Sequence, residues 1–223
     1  MKKIIFLFSL MILLATSAVN AQDYRLGIYA SPMISWFSPD VSEINNEGAR
    51  AGFSFSFMYE KMFTDNYSLV TGANLISSGG RLAGSERFTF EFPSFTRQIG
   101  ADTTIVYRIQ YFSVPVGLKL KTNELGYLTY FADFGLDPKM AVRGRVDIPA
   151  IDIEGERAMS EIKRFNMGWH LDVGIEYALG LETSAILGLG FENNFFDVTK
   201  DNRDQPKDKT SQKMLKFIFG VNF

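Results

Sequence analysis

The sequence predicts an all-β chain, a closed antiparallel eight-stranded transmembrane β-barrel with short periplasmic turns and longer extracellular loops. Three observations carry that expectation. Apolar residues alternate at period two in runs of about ten or more. Connections alternate between short and long, and the N-terminus is patterned for export.

The N-terminal pattern comes first in the chain. Lys2 and Lys3 precede an apolar run over 4–14, and small residues including Val19 and Ala21 then place a cleavage site before Gln22. Residues 1–21 therefore read as a signal peptide and 22–223 as one barrel domain. The alternative is a buried N-terminal helix, since a membrane-spanning helix needs about 20 apolar residues. With no cysteine, the chain can form no lipoprotein anchor, disulfide or thiolate metal site. The formal charge of −2 and the lack of a basic cluster in the sequence set nucleic acid aside as a partner. No later segment reaches about 18 continuous apolar residues, so any membrane insertion must use strands.

Eight strands follow in order, at about 24–37, 49–62, 67–78, 104–121, 126–142, 161–178, 181–198 and 212–223. In the second, Ala51, Phe53, Phe55, Phe57 and Tyr59 oppose Arg50, Gly52, Ser54, Ser56 and Glu60. The sixth sets Phe165, Met167, Trp169, Leu171, Val173, Ile175 and Tyr177 against Asn166, Gly168, His170, Asp172, Gly174 and Glu176. The last sets Leu215, Phe217, Phe219, Val221 and Phe223 against Lys216, Ile218, Gly220 and Asn222. Sandwich strands average about five or six residues, too short for these runs. The fourth strand changes its apolar parity after Tyr111, which predicts a β-bulge near Tyr111 or Ser113, with Pro115 at a local break. Short turns fall at 63–66, 122–125 and 179–180, and long polar loops at 38–48, 79–103, 143–160 and 199–211.

Alternation does not say which face is inside. A soluble barrel is apolar within, whereas a membrane barrel is inverted. Inversion is favoured by small and charged residues on the polar faces, which suit a narrow lumen. Aromatics at strand ends also favour it: Trp36 outside, and Tyr59, Phe63, Tyr67, Tyr127, Tyr177 and Phe223 on the periplasmic side. The expected home is the outer membrane, and the final strand should close the barrel against the first.

The segment Tyr111–Phe112–Ser113–Val114–Pro115–Val116–Gly117–Leu118–Lys119–Leu120, with Gly174–Ile175–Glu176–Tyr177 and the aromatic C-terminus, resembles the PorT-like, or porin-like, outer-membrane β-barrel family. The resemblance spans the mature chain and implies an eight-stranded barrel without a defined activity. It also implies that the aromatic terminus is the signal read by the barrel-assembly machinery.

A structural lumen network is expected from Arg25, Arg50, Arg108 and Lys119 with Glu60, Asp133, His170, Asp172, Glu176 and Glu192, because buried charges must be paired or hydrated. His170 is the only histidine, and its inward parity argues against a lipid-facing Ser–His–acid device. Acids and bases alternate over 197–209, so that loop reads as solvated and not as a calcium site. Gly188–Leu189–Gly190 lies mid-strand and is no phosphate loop, and the Asn66–Tyr67–Ser68 sequon falls in a periplasmic turn. No catalytic, cofactor or metal residues are assigned. The expected function is a non-enzymatic barrel with a structural or surface-interaction role, contacting outer-membrane lipid and an unidentified surface ligand or protein. A narrow channel, a lipid-modifying enzyme and a soluble exported barrel are the alternatives.

Overall fold

The computed structural model describes residues 24–92, 96–180, 182–200 and 208–223. The signal peptide assigned to 1–21, the start of the seventh strand at Leu181, and Asp201, Arg203, Asp204 and Lys207 lie outside them. The strands are β1 (Tyr24–Ser38), β2 (Ile44–Gly48), β3 (Arg50–Thr64), β4 (Tyr67–Gly84), β5 (Phe88–Glu91), β6 (Thr96–Ile99) and β7 (Thr104–Ser113). After these come β8 (Val116–Lys121), β9 (Leu128–Ile148), β10 (Ile153–Arg157), β11 (Phe165–Ala178), β12 (Ser184–Asn194) and β13 (Ser211–Asn222).

Eight antiparallel staves close a ring in the order β1, β3, β4, β7 with β8, β9, β11, β12 and β13. The last strand returns to the first, with Ile28 opposite Val221 and Ile34 opposite Leu215. Leu26 and Phe223 exchange both backbone hydrogen bonds, at 2.9 and 2.8 Å. Closure leaves no open sheet edge in lipid, where an unpaired backbone group costs several kcal/mol. Every stave presents an exposed apolar side chain: Ile28, Phe55, Leu75, Leu118, Phe134, Val173, Leu187 and Phe217. Their alternate neighbours, including Ser31, Ser54, Ser56, Glu60, Lys119, Asp133, His170, Glu176 and Asn222, are buried. The barrel is inverted, as a membrane barrel must be.

Two sequence expectations need correction. On β7 and β8 the inward parity never slips: Ile105, Tyr107, Ile109, Tyr111 and Ser113 are buried, and so are Lys119 and Lys121 further along. The ladder is interrupted at Pro115, where Val114 N–H donates to the Pro138 carbonyl at 3.1 Å. What changes at Tyr111 is the environment, because the chain passes there from water into the membrane. The phase slip lies instead on β9, where Gln110 opposes Arg143 but Tyr111 opposes Ala141, leaving Val142 as the extra residue.

The long connections are also not simply polar. β4 runs on to Gly84 and β9 to Ile148, while β2 pairs with β4, β10 with β9, and β5 with β6. These extensions enclose an apolar core of Phe37, Leu82, Phe90, Phe92, Ile99, Ile105, Tyr107, Ile109, Val146, Ile148, Ile162 and Val198. Phe37 and Tyr107 meet edge to face at 5.7 Å. The Phe37 ring lies against Gly80, where an added Cβ would come within 2.6 Å of Phe37 Cδ2. The extracellular end of the barrel is thus a capped, conventional apolar core.

Candidate functional site

Below that cap the lumen holds two tiers of ion pairs, built by inward positions of seven staves. The periplasmic tier centres on Lys119 of β8. Its ammonium meets Glu60 of β3 at 3.1 Å, contacts Glu176 of β11, and stands 4.7 Å from the centre of the Phe131 ring. Lys121 joins Glu60 at 2.7 Å, and the Ser68 hydroxyl donates to Glu60 at 2.6 Å. Arg25 reaches Glu176 at 3.4 Å from the periplasmic mouth. The carboxylates therefore share cations, so no charge in this tier stands alone.

The upper tier is centred on β9, β11, β12 and β13. His170 Nδ1 lies 2.7 Å from Asp137, and its Nε2 lies 3.7 Å from Asp133. Lys216 bridges Asp172 and Glu192, at 3.5 Å each. Lys139, fully buried, pairs with Glu192, donates to Asn194 Oδ1 at 2.9 Å, and stands 5.8 Å from the Tyr111 ring centre. Glycines make room for the larger groups. Gly174 and Gly188 face each other across β11 and β12. The Phe131 ring fills the space their side chains would take, 2.8 and 3.4 Å from the positions of the missing Cβ atoms.

Between the tiers, Tyr29, Asn74, Asp133, Asp172 and Lys216 line a cavity of about 50 Å³, room for roughly three or four waters. The oxygens Asn74 Oδ1, Asp133 Oδ1 and Asp172 Oδ1 have no protein hydrogen-bond partner and would be satisfied by such waters. The cavity does not continue upward. Gln212 donates to Ser78 Oγ at 3.2 Å and the Ser35 hydroxyl donates to the Gly79 carbonyl at 2.7 Å, and above this seam the apolar core begins.

Of the residues expected in the lumen, Arg25, Glu60, Lys119, Asp133, His170, Asp172, Glu176 and Glu192 come together there. Arg108 does not. It projects from the outer face of β7 and pairs with Asp147, because the outward parity of β7 includes it. Arg50 is half-buried at the upper end of β3 and donates to the Ser78 carbonyl at 3.3 Å, away from the lumen acids. Asp137, Lys139 and Lys121 complete the network, although the sequence reading passes over them. Counting by two from Asp133 and from Lys119 reaches all three. Both ring nitrogens of His170 face carboxylates, so neither is turned toward a serine as a triad would need.

The interface aromatics pair across neighbouring strands. Tyr24 stacks on Tyr59 and Tyr127 tilts against Tyr177, each at 6.1 Å, while Tyr67, Phe63 and Phe223 are exposed nearby on the periplasmic half. At the opposite end Trp36 is half-buried on the outer face of β1, opposite Lys213. Phe165 approaches Phe196 at 6.4 Å at the same end of the barrel.

A family model described as outer membrane protein beta-barrel domain matches residues 20–220. No curated protein sequence matches significantly. Among solved structures, Neisserial surface protein A is similar at 12% identity and a TM-score of 0.51, covering 89% of this chain and 95% of that one. OprG from Pseudomonas aeruginosa is similar at 12% identity and a TM-score of 0.44, covering 90% and 97%. The attachment invasion locus protein Ail of Yersinia pestis, solved with the heparin analogue sucrose octasulfate, gives 12% and 0.43, covering 90% and 99%. The likeness to Neisserial surface protein A is one of fold.

Proposed function

Because the chain belongs to the outer membrane protein β-barrel domain family, we propose that it serves as a closed, non-enzymatic barrel acting at the cell surface through its extracellular end. Its place is the outer membrane. The observation that carries the proposal is the seal: an ion-paired lumen ends beneath a buried apolar core at the extracellular end. A conducting path would need to hydrate that core, whose Phe37, Ile109, Val146 and Ile148 are fully buried. The His170 environment supports a structural role for the imidazole over a catalytic one.

The loops over 79–103 and 143–160, supported by β5, β6 and β10, are the proposed contact surface for a surface ligand or protein, since loops on a rigid scaffold usually carry recognition. The aromatic Phe223 is the proposed contact for the barrel-assembly machinery. Resemblance of 111–120 to the PorT-like proteins supports a place in that subgroup. Planar-bilayer recording of the refolded chain tests closure. The expected trace has no stable unitary step, and a reproducible open level would replace this proposal with the channel.

A further inference from the structure

On the outer wall above the membrane, arginines that are scattered in the sequence stand side by side. Arg157 of β10 is in register with Arg145 of β9, and Arg145 is in register with Arg108 of β7. Arg143 lies two residues below Arg145 on the same face. Parity makes the face outward: Arg108 alternates with buried Tyr107 and Ile109, and Arg145 alternates with buried Gly144 and Val146. Arg108, Arg143 and Arg157 are exposed and Arg145 is half-buried.

Like charges directly opposite on neighbouring strands repel, so such a row calls for anions. Among the described residues, the acid paired with the row is Asp147, on Arg108. Glu156 is in register with inward-facing Val146 and so lies off this face. Arg145 Nε is buried without a hydrogen-bond partner.

Height identifies the anion. Immediately below, Phe112 is opposite Met140 on the same outer face, and both are exposed with Val142 beside them. The next outward pair up is Gln110 with Arg143, and the one after is Arg108 with Arg145. At about 3.4 Å per residue and a strand tilt near 40°, the row stands roughly 5–10 Å above the apolar belt. That is the headgroup layer of a bilayer. It is not the crest, because β9 continues upward to Ile148 and β7 begins higher, at Thr104.

We infer that this row binds phosphate-bearing glycolipid headgroups of the outer leaflet. Guanidinium forks at Arg108, Arg143 and Arg145 take the phosphate oxygens, and the acyl chains lie on Phe112, Met140 and Val142. The inference rests on the outer-membrane placement and is independent of whether the lumen conducts.

Native mass spectrometry of the folded full chain in detergent tests it, with diphosphoryl lipid A as the probe and its dephosphorylated form as the comparison. The phosphorylated lipid should be retained at least tenfold better. The combined variant Arg108→Gln, Arg143→Gln, Arg145→Gln should lose at least tenfold, and Lys209→Gln, a one-charge control on another loop to be compared with Arg143→Gln alone, should lose nothing. Heat-modifiable migration confirms that each variant is folded. Should the combined variant not fold, Arg143→Gln, exposed and free of ion pairs among the described residues, decides with an expected loss of about threefold. Equal binding of the dephosphorylated lipid, or unchanged binding by the folded variant, overturns the inference. Displacement by an equal concentration of inorganic phosphate would reassign the row to free anions. Displacement by equimolar heparin would reassign it to a sulfated glycan.

Discussion

The wall of this barrel has two halves with opposite polarity. In the membrane, Phe55, Leu118 and Phe134 face outward while Ser54, Lys119 and Asp133 face in. In the extracellular extension, Arg108, Gln110 and Arg143 face outward while Tyr107, Ile109 and Val146 face in. The two regimes meet within single strands, and β7 with β8 crosses between them without losing parity. The difference teaches that a strand's alternation fixes only which residues are companions. Whether the companions are apolar or polar is set by the solvent outside, hydrocarbon below and water above.

Core truncation gives the sharpest contrast. Phe37→Ala, in the fully buried cap, should cost about 3–5 kcal/mol in denaturant unfolding from detergent micelles, whereas Phe55→Ala on the lipid face, which loses transfer into hydrocarbon but leaves no cavity, should cost about 1.5–2 kcal/mol. Comparable losses at both sites would break the comparison, because they would mean that the cap packs no better than a lipid-facing surface.

The lumen should respond to charge in the way the cap responds to volume. Lys139→Met leaves Glu192 with only the longer contact to Lys216 and should cost about 3 kcal/mol, as removal of one partner of a buried pair does. Lys139→Met with Glu192→Leu should recover most of that loss, since an apolar pair needs no compensation. If the double variant is as unstable as the single one, the tier is held by something other than pairing.

A pair that contains the smallest effect sharpens the boundary itself. Leu118→Arg places a charge in the outward mid-membrane face and should cost about 2–4 kcal/mol. Gln110→Arg, eight positions away on the same outward parity, should cost no more than about 1 kcal/mol, the repulsion from Arg143 directly opposite. Both are read from unfolding in lipid vesicles, and equal costs would place Gln110 inside the hydrocarbon.

Much of this was legible from period two alone. The eight staves, the turn positions, and the inward placement of Glu60, Lys119, His170 and Glu176 follow from alternation and length. Parity also contained Asp137, Lys139 and Lys121, had it been followed along each strand. Arg108 was misplaced because it was read as a charge belonging to the polar face, when β7 had already left the membrane and reversed the meaning of its faces. The bulge was misplaced for the same reason, since a switch of solvent imitates a switch of phase. Val142 gave no such sign, because a single extra residue among outward apolar neighbours leaves no gap in the pattern.

By itself, then, the sequence determined the eight staves of the ring and the companions on each face, because side-chain direction along a strand follows from the backbone. Tertiary structure alone decided where the membrane ends, what fills the extracellular end, and that Arg157, Arg145 and Arg108 stand in one row. Those facts depend on register between strands distant in the chain. Register is set by closure of the whole ring, by the bulge on β9 and by the shift between Ile153 and Glu156 on β10, and none of these is written in any local stretch of residues.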